Sequence, residues 1–303
     1  MPFPLYVLTG CTAVGKTELA LRWAEQNGAE IVSCDSLLFY RGMDVGTAKP
    51  TSAELARVPH HLIDVRGVTE PMDVTHYVTL ARAAVETIVG RGRKVLVAGG
   101  SGFYLKAFFG SVADDVPVSA SLRAELSERL AREGLPALIG ELTRLNPSGL
   151  GGLDVQNPRR VLRALERCRA SGRTILELQR EFESRPGPFA DFLVEVCELT
   201  REKSALEARI NARAAQMLRA GLVDEVRGLL EHGLKDNPSA ARAIGYRETI
   251  EVIEGMLAAD QLGLKIAQNT RALVRKQKTW FKTQLPDHRR IDASSAEVAT
   301  LFK

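Results

Sequence analysis

The stretch VLTGCTAVGKTELAL, Val7 to Leu21, decides the fold class, because Gly10, four intervening residues and then Gly15-Lys16-Thr17 form a phosphate-cradling loop pattern. The context agrees with the spacing. LYVLTG before it is a short run of β-forming residues, and TELALRWAEQ after it is amphipathic at helical period. In such a loop the glycines let backbone N–H groups turn toward an anion, Lys16 supplies a point charge, and the Thr17 hydroxyl is placed to ligate magnesium.

Working outward, EIVSCD, KVLVAGG and DFLVEVCELT are further apolar runs rich in Val, Ile and Leu. Runs apolar on both faces suit buried parallel strands, so the expected class is α/β, a phosphate-loop core with a parallel sheet. HHLIDV (residues 60–65) and HRRIDA (288–293) are weaker strand candidates. From about residue 117 the pattern changes to charged helical segments such as SLRAELSERLAREG and NPRRVLRALERCRASG, uninterrupted by an apolar strand. The expected organisation is a core of residues 1–116 and 190–303 with a helical insertion at 117–189. The last helical run is read over about residues 203–262.

The 303 residues are 45% hydrophobic and carry a net charge of +4, an ordinary globular composition with a mild preference for acidic partners. Four scattered cysteines make no CxxC pair, so neither a zinc site nor a disulfide framework is suggested, and reduced thiols are expected. The N-terminal MPFPLYVLTG lacks a basic n-region and no apolar run reaches membrane-spanning length, so a cytoplasmic location without a membrane partner is expected.

A loop that hydrolyses a triphosphate also needs a metal-binding carboxylate at a strand tip. KVLVAGG ends in glycines, whereas EIVSCDS puts Asp35 at the tip of its strand, facing the ligand crevice of an open parallel sheet. Asp35 is therefore a candidate metal ligand or general base, with a turn or helix-cap role as the bland alternative. In AGGSGFYLKAF, Gly99 and Gly100 permit close backbone approach and Ser101 offers a neutral hydroxyl. Phe39, Tyr40 and Tyr104 are possible walls for a planar ligand, although core packing is the commoner fate of such aromatics. Arg159 and Arg163 share a helix face. From Arg271 to Lys282 the chain interleaves cations with Trp280 and Phe281 and has no acid, a composition expected of RNA contact. Arg209 and Arg213 are weaker candidates to reach the phosphates. His60 and His61 read as hydrogen-bonded structural residues, since no third metal ligand is apparent.

DSLLFYRGMDVGTAKP (residues 35–50) resembles the signature that follows the phosphate loop in the tRNA dimethylallyltransferases, the IPP transferase family. HHLIDV, AGGSGFYLKAF, PRRVLRALE, RAIGYRE and TRALVRKQKTWFK follow in that family's order, so the resemblance spans nearly the whole chain. It implies transfer of a dimethylallyl group from dimethylallyl diphosphate to the N6 amine of the adenosine adjacent to the anticodon of certain tRNAs, with Mg²⁺. By the resemblance, Gly10, Thr12, Ala13, Val14, Gly15, Lys16 and Thr17 hold the diphosphate, and Thr17 bears the metal; Arg213 is a candidate to join them on its place in EARINARAAQM. Asp35 is the base, and Lys16, Thr17 and Ser101 complete the catalytic set. Ser36, Leu37 and Leu38 would line the flipped adenine, and Ser101 and Arg123 would touch the RNA or the reacting groups. Three segments would grip the anticodon stem-loop: Arg159, Arg160, Val161, Leu162 and Arg163; Arg242, Ala243, Ile244, Gly245, Tyr246 and Arg247; and Arg275, Lys276, Gln277, Lys278, Thr279, Trp280, Phe281 and Lys282.

The chain departs from the family pattern in having Ser at 101, where Thr is usual, which keeps the hydroxyl with a less restrained rotamer. Asn146 and Asn157 stand where Asp is common, a change that bears on local capping. Nothing resembles the zinc finger of the eukaryotic members, so the bacterial type, acting as a monomer, is expected. The competing reading is a small-molecule kinase or adenylate prenyltransferase, which would leave the helical insertion and RKQKTWFK without a task.

Overall fold

In the computed structural model, which describes residues 2–112 and 116–302, six parallel strands form one sheet in the order β3-β2-β4-β1-β5-β6. They are β1 (Phe3–Gly10), β2 (Ala29–Cys34), β3 (His60–His61), β4 (Lys94–Gly99), β5 (Phe192–Thr200) and β6 (Arg289–Asp292). Every apolar run read as a strand is one, and the two weaker candidates are the two edges. All six residues of β2 are buried, as a strand covered on both faces requires. β1 is central, pairing Leu5 with Val95 of β4 and Val194 of β5.

Helix α1 (Lys16–Asn27) returns from β1 and is closed by Gly28 in the left-handed region at φ 60°. The short α2 (Ser52–Arg57) opens on a reciprocal capping box between Thr51 and Glu54, and α3 (Val74–Gly90) is capped by Asp73 accepting from the His76 N–H. The four-residue α4 (Gly102–Leu105) follows β4.

The chain divides into two compact units, Met1–Val112 with Gly187–Lys303, and Ala113–Pro186. The residues just ahead of the expected boundary at 117, 113–115, lie outside the described residues. The second unit contains α5 (Ala120–Glu133), α6 (Leu135–Leu145), α7 (Pro158–Ser171) and α8 (Ile175–Ser184). Its own core is built from Leu126, Leu138, Leu142, Val161, Leu165 and Leu178, among others. Asn146 and Asn157 perform the local tasks in question. Asn157 accepts from the Arg160 N–H to cap α7. Asn146, fully buried, donates to the Leu142 carbonyl at 2.7 Å and accepts from the Ile175 N–H at 2.6 Å, using both ends of an amide.

After β5 the first unit continues with α9 (Lys203–Arg219), α10 (Leu222–Glu231), α11 (Pro238–Ala241), α12 (Tyr246–Ile253) and α13 (Leu262–Gln284). The helical run read as ending near residue 262 thus extends to Gln284. The added part is α13, whose inward face recurs at Ile266, Thr270, Val274, Gln277 and Phe281 while its flanking cations stay outside. Dense charge between those positions hides the period in the sequence.

Candidate active site

The site lies where the chain leaves the C-terminal ends of β1, β2, β4 and β5, all in the first unit. The phosphate loop after β1 is held by three left-handed residues, Gly10, Ala13 and Gly15, with φ of 147°, 66° and 110°. A Cβ at Gly10 would stand 2.5 Å from the Leu199 carbonyl oxygen, so neighbouring β5 enforces glycine there. The Val14 N–H closes a turn on Cys11, and the opening N–H groups of α1, which lack acceptors within their own helix, remain to face an anion.

Lys16 donates to the carbonyls of Gly10 and Cys11 at 2.8 and 3.0 Å, folded back over its own loop. Burial pushes its ammonium down to about 8, against the opposing pull of Cys11 and Asp35 and with some help from Arg213. Three arginines approach from α9 and the turn before it. Arg201 Nε donates to Val14 O at 2.9 Å, Arg209 Nε to Ala13 O at 2.7 Å, and Arg213 Nη2 to Thr47 O at 2.8 Å. Burial lowers the pKa of Arg213, opposed by Asp35. Arg201 is not among the residues that the sequence singles out; its signal is its place just past the tip of β5, equivalent to that of Asp35 past β2.

Two cavities meet here. One, of about 590 Å³, is lined by Thr12, Lys16, Thr17 and Arg209 on its phosphate-loop side and by Ser33 and Leu38 further in. The other, of about 370 Å³, is lined by Ser36, Leu37, Ser101, Arg242, Ala243 and Ile244. Thr12, Asp35, Thr47 and Arg213 line both, so Asp35 stands at the junction.

The second loop packs tightly enough to require its glycines. A Cβ at Gly99 would lie 2.0 Å from the Cys34 carbonyl oxygen, and one at Gly100 2.9 Å from Gly10 O. Ser101 Oγ accepts from the Ser36 N–H at 3.0 Å, which ties the Asp35–Ser36 turn to this loop and leaves the hydroxyl proton to be donated. Asp35 also accepts from the Leu37 N–H at 3.0 Å, so the turn role and the cavity-lining position coexist.

In the 43–49 loop beside the junction, three successive backbone N–H groups converge on one carboxylate. Glu225 accepts from the N–H groups of Asp44, Val45 and Gly46 at 3.0, 2.6 and 3.1 Å, and from the Tyr246 hydroxyl at 2.7 Å. This residue, too, is invisible in sequence, since it sits in an ordinary amphipathic helix.

Several expected ligand contacts need correction. Val161, Tyr246 and Phe281 are buried in hydrophobic cores, so their side chains do not face RNA. Leu162 packs against the core of the second unit. Trp280 lays its ring on Gly102, where a Cβ would come within 2.5 Å. Gln277 turns inward to the phosphate loop, accepting from the Thr12 N–H at 3.0 Å. That bond gives the Thr12 amide a partner within the protein. Phe39, Tyr40 and Tyr104 are core residues rather than walls of a ligand pocket. Gly245 is buried with its N–H on Glu248, which also pairs with Arg247. The cations remain outside: Arg123, Arg159, Arg160 and Arg163 are exposed on the second unit, Arg242, Arg275, Lys276, Lys278 and Lys282 on the first, with Thr279 among them. His61 is bonded to Glu30 at 2.7 Å and His60 to the Val58 carbonyl. Among the described residues no cluster of three or more His, Cys, Asp or Glu side chains suits a metal ion, and no helix is long and apolar enough to cross a membrane.

The IPP transferase family profile matches residues 38–284. The chain belongs to this family. A tRNA dimethylallyltransferase from Opitutus terrae is 64% identical over 290 residues, covering 96% of this chain and 93% of that protein. One from Geobacillus thermodenitrificans is 38% identical, covering 93% and 88%. Among solved IPP transferase structures, the tRNA isopentenylpyrophosphate transferase of Bacillus halodurans superposes with TM-score 0.67 at 32% identity, over 95% of this chain and 89% of that one. A eukaryotic dimethylallyltransferase structure superposes with TM-score 0.82 at 21% identity, a likeness of fold, over 98% and 75%.

Proposed function

We propose that this IPP transferase moves a dimethylallyl group from dimethylallyl diphosphate to the N6 amine of the tRNA adenosine adjacent to the anticodon. The observation that carries this reading is Asp35 at the meeting point of two cavities. One is lined by phosphate-loop residues and arginines, the other by Ser101 and the RAI segment.

The diphosphate lies on the N–H groups that open α1, with Lys16 swinging from its own loop carbonyls to the anion and Arg213 beside it. As the donor's C1–O bond breaks, the electron pair leaves on the bridging oxygen, and these cations and N–H groups absorb the charge, each worth roughly 3 kcal/mol in comparable sites. The adenine enters the second cavity, having left its stack at a cost of about a few kcal/mol. Its N6 attacks C1, and the Asp35 carboxylate takes the proton released. Ser101, held by the Ser36 N–H, donates its hydroxyl proton toward the reacting groups. The donor set suits a magnesium ion bound chiefly through substrate, because Thr17 offers one exposed hydroxyl at the start of α1 and no carboxylate cluster among the described residues competes. Bound there, magnesium would supply further charge neutralisation for the leaving diphosphate. The exposed cations of α7 and α13, with Arg123 and Arg242, grip the RNA backbone.

Incubation with labelled dimethylallyl diphosphate, magnesium and unmodified tRNA, followed by mass analysis of the nucleosides, tests the reading. N6-dimethylallyl adenosine is the expected product. Label on free AMP and none on tRNA would overturn it in favour of a small-molecule acceptor.

A further inference from the structure

Gln277 occupies an inward position on α13, in line with Val274 and Phe281, where an apolar side chain would be expected. Both ends of its amide are engaged. Oε1 accepts from the Thr12 N–H at 3.0 Å and Nε2 donates to the Gly100 carbonyl at 2.9 Å, so one side chain joins the loop after β1 to the loop after β4. The approach is close: a Cβ on Gly100 would stand 3.1 Å from Nε2 and 3.5 Å from Lys16 Nζ. On the same helical turns Arg275 projects from the opposite side and Lys276 and Lys278 from the two flanks, all three exposed. A single turn of helix thus carries surface cations outward and a double loop contact inward.

We propose that Gln277 is a positioning residue that couples the RNA-facing helix to the diphosphate loop. Resting on the transfer reading above, the inference deepens it. Any shift of α13 on engaging an RNA backbone moves the Thr12 peptide and, through Gly100, the neighbouring Ser101. RNA and diphosphate therefore bind with a shared coupling free energy, reciprocal by thermodynamic necessity.

Two variants test this. Gln277→Met keeps the length of the side chain and makes neither bond, and Gln277→Glu keeps an acceptor for Thr12 but loses the donor to Gly100. The probes are inorganic pyrophosphate with Mg²⁺, and an anticodon stem-loop whose acceptor adenosine is replaced by a purine without the amine. Calorimetry measures each alone and each in the presence of the other, on protein whose folding is checked by thermal unfolding. In the wild type the RNA is expected to tighten pyrophosphate about fivefold to tenfold. Gln277→Met should bind RNA alone within twofold of wild type, bind pyrophosphate about tenfold more weakly, and show no coupling. Gln277→Glu, which sets a carboxylate against the Gly100 carbonyl and beside the anion site, should bind pyrophosphate more weakly still and show reduced coupling. Wild-type coupling in either folded variant, or a loss of RNA affinity alone that matches the loss for pyrophosphate, would overturn the proposal. Absence of coupling in the wild type would overturn it as well. The transfer reading stands or falls separately, on whether wild-type protein labels tRNA.

Discussion

Asp35 and Lys16 do opposite work in one crevice, and their substitutions should separate accordingly. Asp35→Ala is expected to lower kcat by roughly 10²-fold or more while RNA affinity stays within a few-fold, read by single-turnover labelling beside a filter-binding assay. Lys16 titrates at about 8 when folded against 10.5 in a free side chain. Between those values the unfolded chain holds more protons, so stability rises with pH there, and the buried ammonium is a cost at pH 7. Lys16→Met should therefore raise the melting temperature at pH 7 by ~2 °C or more while abolishing pyrophosphate binding. The same shift sets the pH dependence of binding. Diphosphate favours the charged ammonium, so affinity should fall as pH rises through about 8, with proton uptake detectable by calorimetry in buffers of different ionisation enthalpy. Asp35 is legible in the sequence because a polar residue ends an apolar run. Arg201 and Glu225 are not, since their partners are distant backbone atoms.

At the scale of elements, the site depends on strand ends touching. Gly99→Ala would drive a Cβ into the Cys34 carbonyl and is expected to cost about 3 kcal/mol or to prevent folding, as chemical denaturation would reveal. The helix α13 divides its labour by face. Replacing Arg275, Lys276, Lys278 and Lys282 with Gln should leave the melting temperature nearly unchanged, because all four are exposed. It should reduce the slope of log K against log salt by roughly 0.7–0.9 for each RNA phosphate that is no longer neutralised. An unchanged slope would remove this face from RNA recognition. RKQKTWFK reads in sequence as a uniform basic and aromatic patch, and its cations are exposed as RNA contact would require. Gln277, Trp280 and Phe281 belong to the other face, a distinction drawn only when the helix is packed.

For the whole molecule, two cores mean two stability units. Asn146→Asp would place a carboxylate against the Leu142 carbonyl inside the core of the second unit, at an expected cost of about 2–4 kcal/mol to that unit. Hydrogen exchange should show weakened protection within Ala113–Pro186, with the sheet strands and pyrophosphate affinity unchanged. Uniform weakening across the chain would mean that the units unfold together.

The sequence by itself determined the α/β class, the strands, the phosphate loop, Asp35 at a strand tip and a separate helical segment. Each of these is a local pattern: an apolar run, a glycine spacing, or a change from period two to period 3.6. Tertiary structure alone decided which strand ends adjoin, that Asp35 borders two cavities, and that Glu225 and Gln277 hold loops far away in sequence. Those contacts are hydrogen bonds to backbone groups, and a backbone N–H or carbonyl is the same in nearly every residue. No side-chain pattern records them.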